Sequence, residues 1–391
     1  MIDYSTILNP QVQALKPSGI RRFFDIASEM DDVISLSIGE PDFTTPWHIR
    51  EEGIRSLEKG KTWYSPNRGF EQLRTEISRY MDRRYGLAYD QKSQVLVTVG
   101  GSEAIDMALR ALVCPGDEVI IVEPSFVCYD PLTRMAGGVP VSIATTEETK
   151  FRLTAAQLEA AITPKTKLLV LPFPSNPTGA VLRRKDLEEI AAVVRRHNLF
   201  VLSDEIYAEL TYGSEPHVSI AQMEGMQERT VVINGFSKTY AMTGWRIGFV
   251  AAPAEIVDRM TKCQENFNAC ANAPGQYAAT VALDHPELCE ELRQTFERRR
   301  SILLDGLSKI DGIRCNRPNG AFYVFADISS FGLSSVEFCN RLLDEQKVVC
   351  IPGSAFGECG EGFIRIAYTC SDDNLYEALN RISCFCKKLM K

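Results

Sequence analysis

Lys238 stands in the run Asn234-Gly235-Phe236-Ser237-Lys238-Thr239-Tyr240-Ala241-Met242-Thr243-Gly244-Trp245-Arg246-Ile247-Gly248. A lysine directly after a serine, with an arginine eight positions on and glycines around both, is a poor pattern for a solvated surface lysine. It suits an aldehyde that carries a phosphate: the amine can condense with the carbonyl while the guanidinium holds the phosphate.

Three other places offer chemistry of a compatible kind. In Leu199-Phe200-Val201-Leu202-Ser203-Asp204-Glu205-Ile206-Tyr207 a carboxylate follows an apolar strand, at the end where open α/β sheets bind ligands. Asp204 there suits a ring nitrogen, a metal or the cap of a following helix, and Tyr207 one turn on favours a polar pocket. Asn176 sits in Leu171-Pro172-Phe173-Pro174-Ser175-Asn176-Pro177-Thr178-Gly179, where three prolines and a glycine fix the loop and the bond before Pro177 is a candidate for the cis form. A structural loop explains the prolines equally well. Thr98-Val99-Gly100-Gly101-Ser102-Glu103-Ala104 puts glycines between a strand and a helix, where backbone N–H groups can approach a phosphate. It is neither a Walker sequence nor a GxGxxG fingerprint, and taken alone it also reads as an ordinary turn. Together these places supply an amine, a phosphate cradle, an acid for a pyridine nitrogen and a donor for a phenolic oxygen, which are the needs of pyridoxal 5'-phosphate.

The elements that must position them alternate. Val95–Val99, Val119–Val122, Val139–Ile143, Leu168–Leu171, Phe200–Leu202 and Val231–Ile233 are short apolar runs. Helical patterns lie between several, such as Glu103–Val113 and Arg184–His197, the latter with Leu187, Ile190, Ala191 and Val194 on one face. The alternation predicts a mainly parallel sheet covered on both faces, an α/β architecture. The C-terminal third differs: a long charged helix over about 286–310 precedes strands at Ala321–Phe325, Val348–Ile351 and Phe363–Ala367, which predicts a smaller α+β domain. The expected division is a large domain over 46–285 and a discontinuous small one formed by 1–45 and 286–391.

Bulk properties narrow the function classes. The chain has 391 residues, 45% hydrophobic and 24% charged, an ordinary globular balance. A net charge of −8 with no basic block argues against nucleic acid and anionic membrane surfaces. No run approaches the roughly 20 apolar residues of a membrane span, and the first residues lack the pattern of a signal peptide, so a cytoplasmic location is expected. The twelve cysteines are scattered, the closest pair (Cys384, Cys386) is not a zinc pair, and there are only four histidines. Core thiols in a reducing compartment, with no metal site, are the expectation.

With these motifs in view, the chain resembles the class I/II, fold-type I pyridoxal-phosphate aminotransferases, closest to aromatic or broad-range members. The motifs are Ser175-Asn176-Pro177-Thr178-Gly179, Ser203-Asp204-Glu205-Ile206-Tyr207 and Ser237-Lys238 to Gly248. The likeness runs from Ser37-Ile38-Gly39-Glu40-Pro41-Asp42-Phe43 to Phe363-Ile364-Arg365-Ile366-Ala367-Tyr368. It implies a seven-stranded type of central sheet, and an aminotransferase that passes the amino group of an L-amino acid to a 2-oxoacid in ping-pong fashion. On this resemblance Lys238 forms the cofactor aldimine and shuttles the proton, Asp204 keeps the ring nitrogen protonated, and Asn176 and Tyr207 bond the phenolic oxygen. Phe126 stacks on the ring, supported by Tyr129. Gly101, Ser102 and Glu103 cradle the phosphate with Arg246, while Arg365 grips the substrate carboxylate with help from Asn176 and Gly39. Tyr64 matches a residue that reaches the phosphate of the other subunit, which implies a homodimer with shared active sites. Many relatives carry a phosphate-binding serine where this chain has Gly235, so Ser237 is the expected substitute.

The segment Lys16-Pro17-Ser18-Gly19-Ile20-Arg21-Arg22-Phe23-Phe24 resembles that of aromatic or broad-range members, with Ile20 placed to line an apolar pocket. Arg21 or Arg22 could instead serve an acidic substrate, so aspartate and N-acetyl-diaminopimelate remain open. A carbon–sulfur β-lyase would use the same lysine and aspartate. A sensor module would need a DNA-binding domain, and a nicotinamide oxidoreductase would need the missing glycine fingerprint.

Overall fold

The structure is a computed structural model and describes residues 4–391 except 16–18, 21–22, 24–29, 31 and 214–215. Arg21 and Arg22, and most of the early segment that bears on substrate choice, therefore lie outside the described residues.

Seven strands form the central sheet, in spatial order Val95–Thr98, Gly248–Ala251, Thr230–Gly235, Phe200–Asp204, Thr166–Leu171, Glu118–Glu123 and Val139–Ala144. All run parallel except Gly248–Ala251, which is antiparallel to both neighbours. Alternate residues take opposite faces, as the period of a strand requires. Leu96, Val119, Ile121, Leu168, Val170, Leu202, Val231 and Ile233 meet Ile105, Ala108 and Leu109 of the helix Gly100–Leu112. On the other face, Ile120, Val122, Leu169, Leu171 and Val201 pack with Leu187, Ile190 and Val194 of the helix Arg184–Arg196. The near-continuous apolar strands of the sequence are thus covered on both sides, as a parallel sheet demands.

The C-terminal part builds a four-stranded antiparallel sheet in the order Ile351–Pro352, Phe363–Ala367, Tyr323–Asp327 and Arg314–Cys315. The long charged helix spans Glu287–Leu307. The N-terminal segment contributes one short strand, Ile34–Ser35, parallel to Val348–Val349. Its continuation is pinned to the small sheet: Leu36 N–H donates to Val349 O, Ala367 N–H to Leu36 O, and Thr369 Oγ1 to Ile38 O. Arg299 clamps Asp42 with both Nη atoms, at 2.6 and 3.0 Å. Ser37 to Gly39 is thereby held over the ends of the large sheet. All twelve cysteines are free thiols, and no helix among the described residues is long and apolar enough to cross a membrane.

Candidate active site

Five strand ends deliver the site. After Thr98 comes the helix beginning at Gly100; after Glu123, Phe126 and Tyr129; after Leu171, Asn176; Asp204 ends its own strand; and Lys238 follows Gly235 by three residues. A cavity of about 200 Å³ opens there. Thirteen of the residues singled out in the sequence line it: Ile20, Gly39, Gly101, Ser102, Phe126, Tyr129, Asn176, Asp204, Tyr207, Ser237, Lys238, Arg246 and Arg365.

Lys238 Nζ donates to the Gly39 carbonyl at 2.7 Å. Burial pushes its pKa down to about 8; Arg246 and Arg365 act in the same direction, against the opposing charges of Glu40 and Asp204. A neutral amine fraction far above that of an exposed lysine is what a nucleophilic lysine requires.

Asp204 is buried, with Oδ2 accepting from the Tyr129 hydroxyl at 2.7 Å and Oδ1 from Ile206 N–H at 3.2 Å. Burial raises its pKa, while those two hydrogen bonds oppose the rise. A turn follows Asp204 rather than a helix, so the capping explanation for this acid does not apply, and Tyr207 reaches the pocket from the turn. Tyr129 is the partner of Asp204 and also meets the Phe126 ring edge-on at 6.2 Å.

Arg365 is 1% exposed. Its Nη1 donates to Asn176 Oδ1 at 3.0 Å and Nη2 to the Ser37 carbonyl at 2.6 Å, while Nε has no partner among the described residues. The peptide bond before Pro177 is cis, in line with the expectation for that loop.

At the helix start, a Cβ on Gly100 (φ +76°) would lie 2.3 Å from Arg246 Nη2. Arg246 itself adopts φ 55° and donates from Nη1 to Thr243 O at 2.9 Å. Only a glycine allows the guanidinium to lie along this helix N-terminus. Gly235, where the resemblance would lead one to expect serine, is tightly packed: a Cβ would sit 3.0 Å from Gly248 Cα and 3.1 Å from Ile206 Cδ1. Ser237, buried at the cavity wall, is the hydroxyl that remains.

Two expected residues are not brought to the cavity. The Glu103 carboxylate turns back to accept from Val99 N–H at the start of its own helix, and from Asn268. Its side chain is thus not free to meet a phosphate, and its share in the cradle falls to its backbone N–H. Tyr64 is 85% exposed and outside its own chain's cavity. Conversely, the sequence reading missed Tyr323, Ile105, Pro172, Pro174 and Ile206, all of which line the pocket.

An amine near neutrality, a buried carboxylate, a glycine-shaped anion cradle at a helix N-terminus and a buried guanidinium fit pyridoxal 5'-phosphate and an amino acid. A family model described as aminotransferase class I and II matches residues 31–382. The aromatic-amino-acid aminotransferase 2 of Thermococcus litoralis and an aspartate aminotransferase of Pyrococcus abyssi are each 45% identical over 378 residues, covering 96% of this chain and 97% of theirs. The crystal structure of an aromatic aminotransferase from Pyrococcus horikoshii OT3 superposes with a TM-score of 0.90 at 44% identity, covering 94% of this chain and 99% of its own. The chain belongs to the class I and II aminotransferases, pyridoxal-phosphate enzymes of fold type I.

Proposed function

We propose that this aminotransferase takes L-amino acids with aromatic or broadly apolar side chains and hands the amino group to a 2-oxoacid. The observation that carries the reading is the wall of the cavity: Ile20, Ile105, Phe126, Pro172, Pro174 and Ile206. Its cationic lining residues among those described are Lys238, Arg246 and Arg365. Each has a task before any side-chain carboxylate arrives.

When bound, pyridoxal phosphate supplies an aldehyde carbon for amines and a ring that withdraws electrons from the substrate Cα. Lys238 would be the amine that holds the cofactor and the base that moves the substrate Cα proton. Asp204, kept in place by Tyr129, holds a proton on the ring nitrogen. Tyr207 and Asn176 serve the phenolic oxygen, and Phe126 covers the ring. Arg246, the Gly101 and Ser102 backbone, Ser237 and the backbone N–H of Glu103 seat the phosphate. Arg365 takes the substrate α-carboxylate in a two-pronged pair, with Asn176 and Gly39 beside it.

Tyr64 of the partner subunit completes the phosphate site in a homodimer. Support comes from the exposed large apolar side chains of the same stretch of chain, Trp47, Ile54, Leu57 and Trp63. The large unit, 46–285, holds the cofactor, and the unit formed by 1–45 and 286–391 brings Gly39 and Arg365. A cytoplasmic setting suits the twelve free thiols.

Unreactive carboxylates test the substrate class. The holoenzyme is expected to bind 3-phenylpropionate at least about tenfold more tightly than succinate, since one buried aromatic ring is worth ~1.5–3 kcal/mol. Tighter binding of succinate would overturn the apolar reading and favour aspartate, the substrate in the name of the Pyrococcus abyssi relative.

A further inference from the structure

Tyr323 carries no catalytic signature in the sequence, yet its side chain touches three residues of the site. Its hydroxyl lies 2.9 Å from that of Tyr207. Its ring centroid is 4.5 Å from Arg365 Cζ. Gly39 packs against it so closely that a Cβ there would lie 2.7 Å from the Tyr323 hydroxyl oxygen. The antiparallel register sets this up: Tyr323 pairs with Ala367, which places Arg365 as its diagonal neighbour on the same face of the sheet.

We infer that Tyr323 is a positioning residue that donates its hydroxyl proton to Tyr207, so that Tyr207 donates its own into the cavity. The inference rests on the reading of Tyr207 as a donor to the cofactor's phenolic oxygen. Each phenol has one proton to give, and burial favours the neutral form of both. The two hydroxyls share one hydrogen bond, and each has no other partner among the described residues. If Tyr207 gave its proton to Tyr323, it would present only lone pairs to a phenolate. With Tyr323 as donor the bonds run in one direction, Tyr323 to Tyr207 to the cavity, and each polarises the next. Gly39, with no Cβ, leaves the room in which the Tyr323 hydroxyl sits.

The test is the pH midpoint of the holoenzyme's visible absorbance. A donor to a phenolate favours the anion, and its loss makes the neighbouring proton harder to remove, so the midpoint rises. Tyr207→Phe is expected to raise it by about 1 pH unit. Tyr323→Phe should raise it by roughly 0.2–0.3 unit, the share that cooperative strengthening supplies. The double variant should match Tyr207→Phe alone, because Tyr323 acts through Tyr207. An unmoved midpoint in Tyr323→Phe, beside a moved one in Tyr207→Phe, would overturn the inference alone. A double variant shifted beyond Tyr207→Phe would do the same. An unmoved midpoint in Tyr207→Phe would overturn the reading beneath it as well. Tyr323→Phe keeps the ring under Arg365, so its affinity for 3-phenylpropionate should stay within about twofold of wild type, whereas Tyr323→Leu should lose about 2- to 10-fold. A loss above about tenfold in Tyr323→Phe would assign the hydroxyl to packing and refute the proton relay.

Discussion

Gly100→Ala is the sharpest perturbation of the phosphate cradle. Gly100 has φ +76°, where an L side chain costs about 1–2 kcal/mol. Its new methyl would sit 2.3 Å from Arg246 Nη2 and 2.9 Å from Cζ, so the guanidinium must withdraw by about 1 Å to reach ordinary contact. Arg246 is tethered through Nη1 to Thr243 O, and Gly248 packs against the Gly100 backbone from the other side. A charge-assisted contact to phosphate is worth about 1.5–3 kcal/mol. Its loss should weaken pyridoxal phosphate by about 10- to 100-fold. The assay is equilibrium titration of the apoprotein followed by tryptophan fluorescence, run with pyridoxal phosphate and with pyridoxal, which lacks the phosphate. The variant should lose affinity for the first and bind the second within about twofold of wild type. Equal losses for both ligands, or none for pyridoxal phosphate, would refute the placement of Arg246 as the phosphate counter-ion.

Arg365→Lys replaces a planar fork with a point charge in a fully buried slot; KM for every amino acid substrate should rise by about 10-fold or more, with a smaller change in kcat. Equal KM values for variant and wild type would remove Arg365 from carboxylate binding. The Lys238 amine has its pKa lowered to about 8, so its neutral, reactive fraction grows from about one-tenth at pH 7 to nine-tenths at pH 9. Capture of pyridoxal phosphate by the apoprotein, followed by stopped-flow absorbance, should accelerate over that window and level off above it; a flat profile would contradict the depressed value. For the shared site, Tyr64→Ala and Lys238→Ala proteins, each impaired alone, should regain activity when their subunits are exchanged by mixing, because one site of the hybrid keeps both residues. No recovery in a mixture shown by mass to contain hybrids would argue against a contribution from the partner.

Much of this site was legible because chemistry and strand ends coincide locally. Asp204 ends a strand that opens as the apolar run Phe200–Leu202, and Lys238 and Arg246 lie eight residues apart on one edge of the same sheet. The resemblance added Arg365 and Gly39, which no local pattern in the large sheet would connect to them. What stayed hidden depends on long-range register. Tyr323 lies in the aromatic run Phe322–Phe325, which reads as core, and only its pairing with Phe363–Ala367 places it beside Arg365. Glu103 was legible only as a position in the turn: its carboxylate satisfies the Val99 N–H at the start of its own helix. The turn after Asp204 was read as helical because Tyr207 is spaced like a helix neighbour, whereas Asp204 Oδ1 accepts from Ile206 N–H and closes a turn.

The central claim is that Lys238 performs amino-group transfer in this pocket. Its most direct test is a half-reaction panel: purified holoenzyme is mixed with single L-amino acids, and loss of the visible absorbance is followed together with the 2-oxoacid formed. Phenylalanine or tyrosine should convert the enzyme fully with one equivalent of 2-oxoacid per site, and Lys238→Ala should be slower by about 1,000-fold or more. Turnover by Lys238→Ala at the wild-type rate, or release of pyruvate and a thiol from cystathionine in place of stoichiometric 2-oxoacid from the panel, would contradict it.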